Sequence, residues 1–310
     1  MINNALQNEL KKYLAHLQFE RNLSENTINS YWIDLKKFFE YLEFNFSIKK
    51  INEIKRFHIE TYIENIYIYI DKKNREVDKK KSSINRSISS IKNFYKYLAN
   101  NDFLEENPAK SIQSIRQSKK IPDVLNVEEI NSILNVFNTT KRNDIRDKSI
   151  ISLLYSSGLR VSELTDLKLT NLFLDDDIIR IFGKGNKERI VPIGSVAKKD
   201  LNLYVNNVRP YYTRKGNSRG LVYLSNRCKS LSRKTVWNII KKSCTKASIS
   251  KNVSPHTFRH SFASHLLEGG AGLRVVQELL GHSSISTTQI YTQLDKTYLK
   301  EIHKEFHPRG

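Results

Sequence analysis

Six side chains spread through the second half of the sequence could together break a phosphodiester: Arg160, Lys184, His256, Arg259, His282 and Tyr291. Five are cationic or can carry a proton near neutral pH, and the sixth is a phenol. A phosphate under attack gathers negative charge on its non-bridging oxygens, so fixed donors aimed at them lower the barrier. Arginine's planar fork grips two such oxygens at once. A tyrosine hydroxyl, with an ordinary pKa of about 10, is a competent nucleophile only when held in line and surrounded by positive charge.

Each residue sits in a readable local setting. Arg160 and Glu163 are three apart in Gly158-Leu159-Arg160-Val161-Ser162-Glu163-Leu164, so on a short helix they share a face, with Glu163 orienting its neighbours. Ser254 reads as an N-cap and Pro255 as the first helical residue. His256 and Arg259 then project from one face of an opening turn that already attracts anions. His260, one position further round, is expected to be a buried structural histidine. Gly281 ends a helix from Leu273 to Leu280 and puts His282 on a turn, and Ser286 to Tyr291 can start a helix with Tyr291 in its second turn. Lys184 lies in Gly183-Lys184-Gly185-Asn186 between two strands, a hairpin tip from which it could protonate a leaving 5′ oxygen. Taken singly, each has a bland reading: a surface ion pair, a polar turn, a packed tyrosine. Only the set points to chemistry.

These residues need a scaffold, and the apolar rhythm supplies one. Leu10, Leu14 and Leu17, then Ile28, Tyr31, Trp32, Leu35, Phe38, Phe39 and Leu42, recur at three or four, as an amphipathic helix requires. Ser24 caps the second of these helices, a third starts near Phe57, and a fourth runs from about Ser83 to Ala99. The charged stretch Asp71 to Lys81 between the last two is expected to be a loop. This predicts an all-helical domain over residues 1–112, a linker over 113–121 with Lys119 and Lys120 near its end and Pro122 just past it, and a second domain over 122–310. In the second domain Asn126 caps a helix through Leu134, another helix spans about Asp144 to Ser156, and Gly158 stops it. Ile178 to Phe182 and Glu188 to Val191 read as paired strands, with Leu221 to Leu224 as a third. The fold class is mainly α with a small antiparallel sheet.

Bulk composition agrees with a nucleic-acid partner. Lys and Arg total 52 against 32 Asp and Glu, a formal charge of +20 over 310 residues, which suits a polyanion. Lys119, Lys187 and Lys234 are candidates for contacts to a DNA backbone. Cys228 and Cys244 are the only cysteines and fit reduced thiols in a cytoplasmic protein. No apolar run approaches a membrane span and the first residues lack a signal-peptide pattern. Neither a glycine-rich phosphate loop nor a carboxylate cluster is present, so neither ATP, metal nor other cofactor is expected.

In order and in type, these residues resemble the tyrosine recombinase (phage integrase) family over nearly the whole chain. The stretches that carry the likeness are Gly158 to Leu164, Gly183 to Arg189, His256-Thr257-Phe258-Arg259-His260-Ser261-Phe262-Ala263, and Leu279 to His282 through Thr287 to Thr292. Glu20 to Thr27 and His307-Pro308-Arg309 look like the Xer branch, which resolves chromosome dimers. Val276 to Leu280 and Thr292 to Asp295 look more like XerC than XerD. The resemblance implies Arg160, Lys184, His256, Arg259 and His282 as the phosphate-activating set, Glu163 as support and Tyr291 as nucleophile. It also implies a two-domain, C-shaped clamp on duplex DNA: a helical, SAM-like core-binding domain and a catalytic domain. Partners would be a DNA recombination site, a paralogous XerD-like recombinase in a heterotetramer, and a DNA translocase such as FtsK. The helix after Tyr291 would pass to a neighbouring protomer. A mobile-element integrase, a type IB topoisomerase and a non-cutting architectural protein are the competing readings.

Overall fold

The computed structural model describes residues 3–70, 76–78, 81–101, 103–104, 106–115, 123–183, 188–281 and 293–310, with backbone only at 67–70, 76–78 and 293–296. The chain divides into two units, Met1–Lys120 and Ile121–Gly310.

The first unit is built on helices α1 (Asn4–Phe19), α2 (Glu25–Phe46), α3 (Arg56–Tyr67) and α4 (Lys81–Asn100). Their starts follow local chemistry. The Asn3 carboxamide accepts the Ala5 N–H and the Ser24 hydroxyl accepts the Thr27 N–H, satisfying donors that a helix start leaves free. Leu6, Leu10 and Tyr13 of α1, Leu35, Phe38, Phe39 and Leu42 of α2, and Ile84, Ile88, Ile91, Phe94, Tyr95 and Leu98 of α4 all face one core. A charged group also enters that core. Asp34 is buried and takes both a 2.9 Å bond from Arg86 Nε and one of 2.9 Å from its Nη2, with Ser90 Oγ at 3.2 Å. Beyond α4, the Asn85 side chain donates to Ile115 O and accepts the Ile115 N–H, both at 2.8 Å. The stretch read as a charged loop is in part a ribbon: β1 (Ile68–Ile70) pairs antiparallel with β2 (Glu76–Asp78), and Lys81 already opens α4. Residues 71–75 and 79–80, like most of the expected linker, lie outside the described residues.

The second unit begins with α5 (Val127–Asn135), α6 (Arg142–Ser157) and the single-turn α7 (Val161–Thr165). A three-stranded antiparallel sheet follows, in the order β3 (Leu172–Phe173), β4 (Ile178–Phe182), β5 (Glu188–Pro192). Then come α8 (Ser195–Leu203), α9 (Arg209–Thr213), α10 (Arg233–Lys246), α11 (Pro255–Gly269), α12 (Leu273–Leu280) and α13 (Gln293–Phe306). The third strand is thus Leu172–Phe173, and Leu221 to Leu224 makes only isolated bridges, Lys168 with Leu221 and Leu224 with Ser230. Val222, Tyr223 and Leu224 are fully buried: an apolar run of four cannot by itself distinguish a strand from a buried connection.

Helix α6 runs through the middle of this unit, buried from Ser149 to Ser157. Its serines make that possible. Ser156 Oγ accepts the Gly194 N–H at 2.8 Å, Ser157 Oγ donates to Pro192 O at 3.0 Å, and Ser149 pairs with the Tyr223 hydroxyl at 2.9 Å. Gly158 then ends the helix at φ +55°, where an added Cβ would lie 2.5 Å from the Phe262 ring. Left-handed strain and overpacking act together there, so Gly158→Ala is expected to cost about 3 kcal/mol. Thermal or urea unfolding checks it: an unchanged midpoint would mean the turn relaxes freely.

The chain ends against its own second unit. Leu299 and His303 of α13 are buried, and His303 Nε2 lies 2.7 Å from Ser156 O. His307 stacks on His303 with ring centroids 4.7 Å apart and meets the Tyr155 ring at a tilt of 48° and 4.7 Å. The helix that the resemblance would pass to a neighbour therefore packs here on α11 and β5 of the same chain. Burial pulls the pKa of His265, His303 and His307 below the ordinary histidine value, that of His307 to about 2 with help from its histidine neighbours. A base depressed in the folded state takes up its proton on unfolding. Stability from it is whole above about pH 6.5 and falls as pH drops below that value, by ~1.4 kcal/mol per unit for a histidine that stays neutral. The melting temperature should be level above pH 7 and fall toward pH 5, and His307→Phe should flatten the slope. Parallel slopes for the two proteins would refute it.

Among the described residues no helix is long and apolar enough to cross a membrane.

Candidate active site

Glu163 is the hub of the site. It lies in α7, a helix only one turn long whose N-cap is Arg160, and it is 7% exposed. The Arg160 N–H donates to Glu163 Oε2 at 2.7 Å and Arg160 Nη1 to Oε1 at 2.9 Å. This is the pair expected from its three-residue spacing, but it is no surface pair. A second arginine, Arg189 of β5, meets the same carboxylate end-on, Nη1 to Oε1 at 2.7 Å and Nη2 to Oε2 at 2.8 Å. Burial alone would raise the Glu163 pKa. Hydrogen bonds and charge from Arg189, then those from Arg160, outweigh it and hold the carboxyl below its ordinary value, so it stays ionised.

The other ends of these guanidinium groups converge on one place. Arg189 Nε donates to Leu279 O at 2.9 Å, Arg259 Nη2 to Leu280 O at 2.5 Å, and Arg160 Nη2 to Gly281 O at 3.2 Å. Those three carbonyls end α12, where a helix leaves acceptors unpaired and its dipole favours cations. Arg259 Nη1 also donates to Gly158 O at 2.7 Å, tying the turn before Arg160 into the same cluster. Gly281 leaves the helix at φ +64°, and a Cβ there would sit 2.9 Å from Arg189 Cδ. Backbone conformation and close approach both call for glycine.

Three guanidinium cations stand here against one carboxylate, an excess of two positive charges in a partly dry place. Burial, followed by the charges of Arg160 and Arg189, lowers the Arg259 pKa to about 10. Such an arrangement is poised for an anion, which would relieve the mutual repulsion. Arg160 keeps 37% of its side chain open to solvent, so the anion has a way in.

Of the residues singled out from sequence, the fold brings Arg160, Glu163 and Arg259 together. The opening of α11 is built as its sequence predicts, Ser254 capping through the Thr257 N–H and Pro255 at the first turn. His256 is exposed on that turn, whereas Arg259 is buried and turns to the carbonyls of Gly158 and Leu280. His260 is exposed, contrary to expectation. It lies four residues from His256 and shares its outward face, while Phe258, Ser261 and Phe262 fill the inward one. The buried histidine of this helix is His265, whose Nδ1 is 2.8 Å from the Tyr155 hydroxyl. Lys184, His282 and Tyr291, and the backbone candidates Lys119 and Lys187, lie outside the described residues. Lys234 is exposed on α10 beside Arg233, on a face that also carries Lys241 and Lys242. No group of three or more His, Cys, Asp or Glu among the described residues could hold a metal ion.

Arg189 was not singled out, although a signal existed. In Glu188-Arg189-Ile190-Val191 it shares a strand face with Val191, and a charge on an inward strand position demands a buried partner.

The model of the Phage integrase family matches residues 123–297, and that of the phage integrase N-terminal SAM-like domain matches residues 10–102. The tyrosine recombinase XerD of Staphylococcus epidermidis is 40% identical over 301 residues, covering 97% of this chain and 99% of that protein. XerD of Staphylococcus aureus is 40% identical over the same shares. The solved structure of XerH site-specific recombinase bound to palindromic difH substrate, a post-cleavage complex, matches 94% of this chain and 82% of that one, with TM-score 0.67 at 23% identity. That last likeness speaks for the fold. Both relatives carry the name XerD, so the lean toward XerC drawn from Val276 to Leu280 and Thr292 to Asp295 finds no support.

Proposed function

From the premise that this chain belongs to the phage integrase family and is a site-specific tyrosine recombinase of the Xer type, we propose that it resolves chromosome dimers at a dif-like site, with a paralogous recombinase as partner in a heterotetramer and a DNA translocase as trigger. Tyr291 gives up its phenolic proton and attacks the scissile phosphate, forming a 3′-phosphotyrosyl bond as the bond to the 5′ oxygen breaks, so that one proton passes overall from the phenol to that oxygen. Lys184 gives that oxygen its proton. The released 5′-hydroxyl of one duplex then attacks the phosphotyrosyl link of the other and frees the phenol, so that phosphodiester energy is conserved in the covalent intermediate. Arg160, His256, Arg259 and His282 hold the phosphate oxygens as charge builds on them, and Glu163 fixes Arg160.

The observation that supports this best is the cluster of Arg160, Arg189 and Arg259 around the one carboxylate of Glu163, because a surplus of fixed positive charge is what a pentacoordinate phosphate needs. The domain of residues 1–112, the linker of 113–121 and the basic outward face of α10 around Lys234 would supply contacts to the DNA backbone, which set affinity and register.

The test is trapping on a nicked duplex carrying a dif-like site, from which the short cleaved fragment diffuses away. A denaturing gel should show a protein–DNA adduct with the phosphate retained on the 3′ end at the break, and adding the paralogue should give strand exchange. A protein that binds the duplex tightly yet gives no adduct, with or without the paralogue, would overturn the reading.

A further inference from the structure

We propose that Arg189 is a positioning residue for strand cleavage, which locks Glu163 to the last turn of α12 so that Arg160 and the turn leading to His282 are set before DNA arrives. The inference rests on the roles given above to Arg160, Lys184 and His282, and deepens them.

A carboxylate offers about four acceptor sites. On Glu163 all four are filled: two by Arg189, one by the Arg160 N–H and one by Arg160 Nη1. Arg189 therefore takes half of the acceptor sites through an end-on, two-pronged pair. If Glu163 faced Arg160 alone, the two would neutralise each other and Arg160 would meet a phosphate as half of an ion pair. With Arg189 in place, Arg160 keeps one amine on Gly281 O and an open flank.

Arg189 also stands where three elements meet. It is 5% exposed, pairs with Ile181 across the β4–β5 ladder at the root of the hairpin that carries Lys184, and reaches α12 through Leu279 O. Its Cδ lies under Gly281, the residue before His282. One guanidinium thus joins α7, the hairpin root and the end of α12. A buried ion pair is a poor way to gain stability, since apolar residues of the same volume often do as well. Its geometric effect is harder to replace, because a flat two-pronged bond fixes both distance and angle.

The test uses Arg189→Met and Arg189→Lys, together with the double variant Glu163→Gln/Arg189→Met, which removes both buried charges at once and guards against a simple failure to fold. Melting temperature, affinity for the site and single-turnover adduct formation on the nicked duplex are measured for each. Affinity is expected to stay near that of the wild type while adduct formation slows by about 10²-fold in both Met-containing proteins. Lys should restore part of the rate, since it keeps the charge without the fork. Wild-type rates in folded Arg189→Met, or losses of rate that only follow losses of stability and binding, would overturn the inference. If the wild-type protein itself forms no adduct, it is the recombinase reading that fails, so the two failures are distinguishable.

Discussion

Tyr291→Phe is expected to abolish the covalent adduct while leaving site binding at the wild-type level. The change removes one oxygen and keeps the ring, so packing and charge elsewhere are conserved. What it removes is the atom that, in the mechanism proposed above, forms the bond to phosphorus, and no surrounding cation can substitute for a missing nucleophile. The residual rate should therefore fall to the background of the gel, unlike the partial losses that follow when a charge-stabilising group is deleted. Gel-shift affinity and adduct yield, measured on the same nicked duplex, separate binding from chemistry. An adduct that persists in Tyr291→Phe would assign the nucleophile to another residue, and its position could be read by mapping the labelled peptide.

The second large effect is expected at Arg259. Replacement by Gln should slow adduct formation by about 10²–10³-fold, the range found when one fixed donor to a developing oxyanion is lost. The physical case is stronger than for an exposed arginine. Arg259 is buried, its charge is held in the company of Arg160 and Arg189 at some cost, and burial pulls its pKa to about 10 without discharging it near neutral pH. Its guanidinium also ties Gly158 O and Leu280 O, so the same change loosens the turn before Arg160 and the end of α12. Arg259→Lys separates the two contributions. It keeps the cation but cannot span both carbonyls, and should recover only a minor part of the rate. Cleavage by Arg259→Gln at close to the wild-type rate, with the protein folded, would remove this residue from the phosphate site.

Much of this architecture is local and hence legible. Ser24, Asn126 and Ser254 cap their helices as their side chains predict, because a cap involves only residues within one turn. Gly158 and Gly281 end α6 and α12 in the left-handed region, which a glycine tolerates best. The apolar period of α4 falls on the buried face, as does that of α2 from Leu35 to Leu42, whereas Trp32 of the same rhythm is exposed. The relation of Arg160 to Glu163 follows from spacing alone, since a three-residue step brings side chains together on any helix.

The tertiary structure decided what depends on distant segments. His260 and His265 stand five apart on the same helix, yet one is exposed and the other buried beside Tyr155, a difference of helix phase set by the elements packed around α11. His303 and His307 are buried because α13 lies against its own unit, and no pattern within the last turn announces that. Leu221 to Leu224 has the composition of a strand yet pairs only through isolated bridges with Lys168 and Ser230, while Leu172–Phe173 is what pairs with β4. Residue type and spacing in the chain were enough to single out side chains suited to phosphoryl chemistry, since they fix what a side chain can donate. That Arg189 shares Glu163 with Arg160, and that three guanidinium groups meet on the carbonyls of Leu279, Leu280 and Gly281, was decided by the fold: these contacts join positions far apart in the chain, and only tertiary packing sets their distances.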